Sequence, residues 1–324
     1  MRRGSVRAAA AVGRSPVLRG CLGAGCISAS AILVRLADTG AATTVFFRCA
    51  LALPVLLALA TVERRRRGLR ALAVRRGAAA AGLWLAVDLV LWNYSIADLG
   101  AGVATALESL QVLFVALAAW AVYQERPGRR FLVALPVVIT GVVGVSGLAG
   151  AGGGTTGMHP LAGSGYRIGA AVAGAGFILT LRRTSAGAPH VAGPLADASA
   201  GGAAASLLLG LAFGGLQLRI GWPSFWWLLV LSMTSQTIGW LLITSSLPKL
   251  PAAFSSLMLL LQPTGAMLLA AAVLGERPSL VQMGGAAMVC CGILAAGQAV
   301  SSRRAPARSR PAPNPAVEDH ERTH

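Results

Sequence analysis

AGVATALESLQVLFVALAAWAVYQERP (residues 101–127) lies without gaps on AAFSSLMLLLQPTGAMLLAAAVLGERP (252–278) when the chain is shifted by 151 residues. Ten of the 27 positions are identical, among them Gln111/Gln262 and the whole Glu-Arg-Pro at 125–127 and 276–278. Alanine-rich segments match by chance easily; a shared Gln and a shared Glu-Arg-Pro do not. The same shift aligns Ser95 with Ser246 and Gly141 with Gly292. Self-similarity at a fixed period marks an internal duplication, and it decides the architecture.

Both copies are apolar. Of the 324 residues 55% are hydrophobic and only 12% are charged, with a mean hydropathy of +0.68. A soluble protein of this length needs far more charge to cover its surface. A bilayer core about 30 Å thick takes roughly 20 apolar residues per helix. Ten segments qualify: 17–37, 41–62, 77–97, 102–122, 129–148, 165–182, 190–213, 223–246, 252–273 and 279–299. The expected fold is an all-α integral membrane protein of ten transmembrane helices, arranged as two inverted five-helix repeats. A cytoplasmic segment (1–16) precedes the first repeat (17–150) and the second repeat (151–302). The tail (303–324) is rich in Pro and charge and is expected to be disordered.

The formal charge of +17 invites a nucleic-acid reading, but the arginines come in short bursts between apolar stretches, Arg64 to Arg67 being the densest. Such bursts mark cytoplasmic loops. With both termini in the cytoplasm, the inside segments hold 23 Lys and Arg. The outside segments hold three, Arg167, Arg219 and Arg277, while Arg35 and Arg48 fall within spans. The expected location is the plasma membrane. Five spans per copy is an odd number, so the second copy enters the membrane inverted. That plan recurs in secondary transporters, where the substrate site sits between the repeats near the midplane.

The remaining small motifs carry less. Cys21, Cys26, Cys49, Cys290 and Cys291 form no CxxC and no Cys/His set, so neither a disulfide scaffold nor a zinc site is indicated, and no cofactor is expected. The apolar run Cys21–Val34 follows a basic start as in a signal peptide, but Arg35 interrupts its end and a retained first span is expected. Gly165/Gly169 and Gly210/Gly214 have the spacing of close helix contacts. Gly152 to Gly154 fall in an external loop with no phosphate-binding context.

The chain resembles the EamA family of the drug/metabolite transporter superfamily. The resemblance rests on the five-plus-five plan, on FFRCALALP (46–54) with Arg48 in the second span, and on apolar helices ending in Glu-Arg at Glu125 and Glu276. LQPTGAMLLAAAVLGERPS (261–279) is especially similar. The resemblance covers roughly residues 17–299. It implies ten helices around a central cavity and carriage of amino acids, other metabolites or drugs. The family's proline in the middle of the fourth span is replaced by Val112; Pro263 supplies it in the ninth.

Ionisable groups inside a membrane are costly and point to function. Arg48 and Glu108 fall at about the same depth in the outer half, roughly 9–11 Å from the outer ends of their helices. They are expected to pair in an outer vestibule; the competing reading is a pair that only locks two helices. Asp88 lies near the middle of the third span with Trp84 and Trp92 on the same face. It suits an amino group or a coupling proton, or else a bond to a neighbouring helix. Gln111 and Gln262 each reach the midplane from opposite sides, where neutral amides can hydrogen-bond a zwitterion or join two helices. Trp92, Asn93 and Gln236 complete the expected lining. The expected partners are a small-molecule substrate and the lipid bilayer, with a homodimer open and no nucleic acid.

A rival reading is enzymatic. Gly144-Val145-Ser146-Gly147 and His190-Val191-Ala192-Gly193 imitate the motifs of an intramembrane serine protease. Catalysis needs His190 within about 3 Å of Ser146. The predicted topology places them at opposite ends of the membrane. A channel has no selectivity-filter-like sequence to support it.

Overall fold

The computed structural model describes residues 15–99, 107–146, 159–186, 190–274 and 278–302. The N-terminal segment to residue 14, the Gly152–Gly154 loop, the tail from residue 303, and Glu276 and Arg277 lie outside the described residues. All regular structure among the described residues is helical. The helices are α1 (Pro16–Ser28), α2 (Ser30–Ala37), α3 (Ala41–Arg67), α4 (Leu72–Leu99), α5 (Leu110–Tyr123), α6 (Arg129–Val145) and α7 (Pro160–Ser185). After these come α8 (Ala192–Phe213), α9 (Trp222–Leu231), α10 (Trp240–Ser246), α11 (Ala252–Leu259), α12 (Leu261–Leu274) and α13 (Leu280–Ser302). A π-helical stretch, Ser232–Gly239, joins α9 to α10.

Among the described residues, six helical stretches are long and apolar enough to cross a bilayer: Pro16–Ala37, Ala41–Arg67, Leu161–Ser185, Ala192–Phe213, Trp222–Lys249 and Ala252–Leu269. Leu110–Tyr123 and Leu280–Ala296 are apolar but shorter. Helix therefore occupies every one of the ten expected segments, and the structure assigns six of them as spans by length and composition. The physical reasons are local. α5, with 14 residues, and α6, with 17, fall short of the roughly 20 that a bilayer core takes.

The packing interleaves the two copies. α3 lies against α8, α4 against both α7 and α8, α6 against α13, and α1 against α10 and the π stretch. Close approach is made by glycine: one member of each GxxxG pair is in tight contact, Gly210 against Ala42 and Gly169 against Leu91, and the closest approaches are at other glycines. A Cβ on Gly82 would run into the Ala198 carbonyl, and one on Gly201 into the Ala79 carbonyl, so α4 and α8 meet backbone to backbone. Gly141 and Gly144 face Gly285 across α6 and α13 in the same way. Gly165, by contrast, meets nothing within 4 Å, and Gly214 is the C-cap of α8 at φ +80°. Spacing alone does not reveal which helix face is apposed.

Two carboxylates fix helix starts at the end of the bundle that carries Arg64 to Arg67. Glu63 accepts from the backbone N–H groups of Val191 (2.9 Å), Ala192 (3.1 Å) and Gly193 (3.0 Å), which closes the first turn of α8. Glu125 does two jobs. Its Oε2 accepts from Ala252 N at the start of α11 (3.2 Å), and its Oε1 takes Arg182 Nη1 at 2.7 Å. Arg182 Nε in turn donates to Leu247 O at 3.3 Å. The Glu of the repeated Glu-Arg-Pro thus ties the end of α5 to α7 and to the second copy.

Candidate functional site

The fourth and ninth segments are both interrupted, at the same place in the repeat. In the second copy a turn at Leu260 separates α11 from α12, with Leu260 N bonded to Leu257 O at 3.1 Å. Pro263 explains it: proline has no N–H to offer Leu259 O, and its ring crowds that carbonyl. In the first copy the helical path turns at Glu108 and Ser109, where Gln111 N bonds Glu108 O (3.0 Å) and Val112 N bonds Ser109 O (3.1 Å). Ser109 corresponds to Leu260 under the 151-residue shift. The first-copy break forms with Val112 in place of proline, so the kink does not depend on that residue.

These breaks frame a cavity of about 140 Å³. Its polar lining includes Arg48, Asp88, Glu108, Gln111, Arg167 and Gln262, with Trp92 among the apolar walls. Gln111 and Gln262, matched by the repeat, meet here. Discontinuous helices around a midplane cavity expose backbone groups to a ligand where a regular helix would hide them.

Arg167 is the addition that sequence reasoning missed. It was counted with the outside, at the outer end of the expected span 165–182; instead it sits seven residues into α7, about 10 Å along the helix, and is 1% exposed. Its Nε and Nη2 have no hydrogen-bond partner among the described residues. The signal was present: Pro160 occupies the first turn of α7, where proline favours a helix start, and starting there carries Arg167 inside.

The expected Arg48–Glu108 pair is not formed. Arg48, 4% exposed, donates from Nε to Gln236 Oε1 at 3.1 Å, and Gln236 Nε2 donates to Ser199 Oγ at 3.1 Å. Ser232 Oγ also donates to the Arg48 carbonyl at 2.8 Å. The electrostatic partners run otherwise: Arg167 attracts both Asp88 and Glu108, and Arg48 attracts Asp88. No ion pair within 4.0 Å joins these four groups among the described residues; the ion pairs found there are Arg70–Asp197, Arg75–Asp197 and Arg182–Glu125. Two guanidinium and two carboxyl side chains therefore face one small space without direct contact among them.

Two expected lining residues lie elsewhere. Gln236 is fully buried behind Arg48 and positions it. Asn93 turns back on its own helix and donates to Leu89 O at 2.8 Å. Trp84, grouped with Asp88 by spacing, packs toward Gly176 and is 42% exposed.

The π stretch lies at the middle of the span 222–249. Its composition accounts for it: Thr237 Oγ1 donates to Ser232 O, five residues back, at 3.0 Å. Ser235 Oγ pairs with Ser30 Oγ at 2.7 Å, beside the α1–α2 break. Single π turns of this kind are frequent at functional sites.

The protease-like strings stay apart in their bonding. Ser146 Oγ donates to Val143 O at 2.7 Å, and His190 Nε2 lies 3.2 Å from Gly68 O at the arginine-rich end. No hydrogen bond joins Ser146 to His190 among the described residues.

Comparison with known proteins agrees with this architecture. The model of the EamA-like transporter family matches residues 14–147 and again 161–297. No curated protein sequence matches the chain. A solved crystal structure of a protein is similar in fold, with a TM-score of 0.71 at 17% identity, covering 90% of this chain and 99% of its own.

Proposed function

Because the chain belongs to the EamA-like transporter family, we propose that it carries a small solute across the plasma membrane by alternating access, with the 140 Å³ cavity as the substrate site. In this reading all ten helical segments cross the bilayer, the second copy is inverted, and the Arg64–Arg67 end faces the cytoplasm. The Glu125–Arg182 contact is then part of the cytoplasmic closure.

The observation that carries the proposal is the unneutralised charge set. Placing Arg or Asp at a helix centre in a membrane costs about 2.5–3.5 kcal/mol each. Arg167 bears that cost with two guanidinium nitrogens unpartnered among the described residues. An anionic group on the solute supplies the missing acceptors, and Asp88 and Glu108 suit an amino group on the same solute. Gln111 and Gln262 offer neutral donors and acceptors beside them. The volume favours a small molecule, since pockets for drug-sized ligands span roughly 300–1,000 Å³. The favoured substrate class is a small zwitterion.

The test is thermal stabilisation of purified protein by single compounds: small zwitterions, the matching amines, the matching carboxylates and a bulky cationic drug. A ligand of the folded state raises the unfolding midpoint. The zwitterion is expected to stabilise most. Stabilisation by the cationic drug alone overturns the zwitterion reading.

A further inference from the structure

A second cavity, also about 140 Å³, opens at the arginine-rich end between α3, α4 and α8. Its polar lining is Arg64, Arg70, Arg75, His190 and Asp197. The family match and the transport cavity do not account for it. Arg70 Nη1 lies 2.8 Å from Asp197 Oδ2, and Arg75 Nε lies 3.8 Å from the same oxygen. One carboxylate thus faces three guanidinium groups. Glu63, the nearby second acid, is occupied by three backbone N–H groups of α8.

His190 adds an independent observation. It is 6% exposed; its Nε2 faces Gly68 O at 3.2 Å, and its Nδ1 has no partner among the described residues. The residue that carries this ring nitrogen lines the cavity. The Arg70 guanidinium lies against Gly193 in the first turn of α8. Three guanidinium groups beside a single cavity carboxylate, a buried ring nitrogen without a partner among the described residues, and a cavity open at a bundle end form a receptor for a compact polyoxyanion.

We propose that this cavity binds a phosphoryl group. The sources that fit are the headgroup phosphate of an anionic phospholipid and free phosphate. Basic pockets between helices at the membrane face hold such headgroups, at about 1 kcal/mol per Lys or Arg near the surface. Arg75 is the best probe, because its side chain is 57% exposed and its removal leaves the Arg70–Asp197 contact in place.

The experiment uses full-length protein in nanodiscs of phosphatidylcholine. Retained lipid is read by native mass spectrometry as phosphatidylglycerol is titrated in, and a parallel series adds inorganic phosphate and reads the unfolding midpoint. The variants are Arg75→Gln, His190→Gln and, outside the cavity on the same arginine run, Arg66→Gln. Arg75→Gln and His190→Gln are each expected to weaken binding about fivefold, and Arg66→Gln to leave it within about twofold. Phosphatidylglycerol alone binding in this pattern assigns a lipid source; phosphate alone assigns a free one. Absence of binding by either probe overturns the proposal. So does equal weakening by Arg66→Gln, which marks general surface attraction, and so does binding unchanged by Arg75→Gln and His190→Gln.

Discussion

Gln111 and Gln262, separated by 151 residues and matched by the internal repeat, line one cavity. Each follows a break in its helical path, so each amide sits beside backbone that a continuous helix would have satisfied internally. If they hydrogen-bond the solute, Gln111→Leu and Gln262→Leu each lose one neutral hydrogen bond, worth about 0.5–1.5 kcal/mol. Solute affinity by isothermal calorimetry is expected to fall about three- to tenfold for either. Unchanged affinity with a lowered unfolding midpoint instead identifies both as interhelical ties.

The Glu125–Arg182 contact joins the copies at one end. Glu125→Gln and Arg182→Gln are expected to destabilise, and the double variant to destabilise by less than their sum, because either change breaks the same contact. The side chains are partly exposed, 34% and 17%, so the coupling is about 0.5–1 kcal/mol. A double-mutant cycle on unfolding midpoints measures it; strict additivity contradicts the assignment.

Pro263 breaks the ninth segment. Pro263→Ala restores the N–H that Leu259 O lacks and recovers part of the roughly 3 kcal/mol interior-proline penalty. The unfolding midpoint is expected to rise while transport slows about tenfold, the equivalent of 1.4 kcal/mol on the barrier. A variant with wild-type transport shows that the break is dispensable.

Gly82 has no room for a side chain against the Ala198 carbonyl, whereas Gly25 on α1 meets nothing within 4 Å. Gly82→Ala is expected to destabilise by about 1–3 kcal/mol through overpacking. Gly25→Ala is expected to be neutral or to stabilise by up to about 1 kcal/mol through helix propensity. Unfolding midpoints of the two variants check the contrast.

The repeat, the helical class and the membrane location were legible because each rests on many residues at once. A 27-residue match and 55% hydrophobic composition tolerate local error. The site was legible only where a residue's depth fixes its surroundings. Asp88, Trp92, Glu108, Gln111 and Gln262 were placed by depth and do line the cavity. Depth says nothing about azimuth, so Asn93, one residue from Trp92, bonds back to its own helix. Arg48 and Glu108 share a depth, yet Arg48 turns toward Gln236 on another helix. Arg167 was lost to a boundary error of five residues, the distance between Gly165 and Pro160. The break at Glu108 and Ser109 had no local signal, since Val112 stands where a proline would announce it.

The measurement that bears most directly on the whole account is solute counterflow into proteoliposomes by wild-type protein and Arg167→Lys. Lysine keeps the charge that balances Asp88 and Glu108 but loses the planar fork that grips an anionic group. The account predicts uptake of a small zwitterion by the wild type. It also predicts a variant with an unchanged unfolding midpoint whose apparent affinity falls about tenfold or more, the loss of one charge-assisted hydrogen bond. Wild-type affinity in Arg167→Lys, or a transported solute that lacks any anionic group, contradicts it.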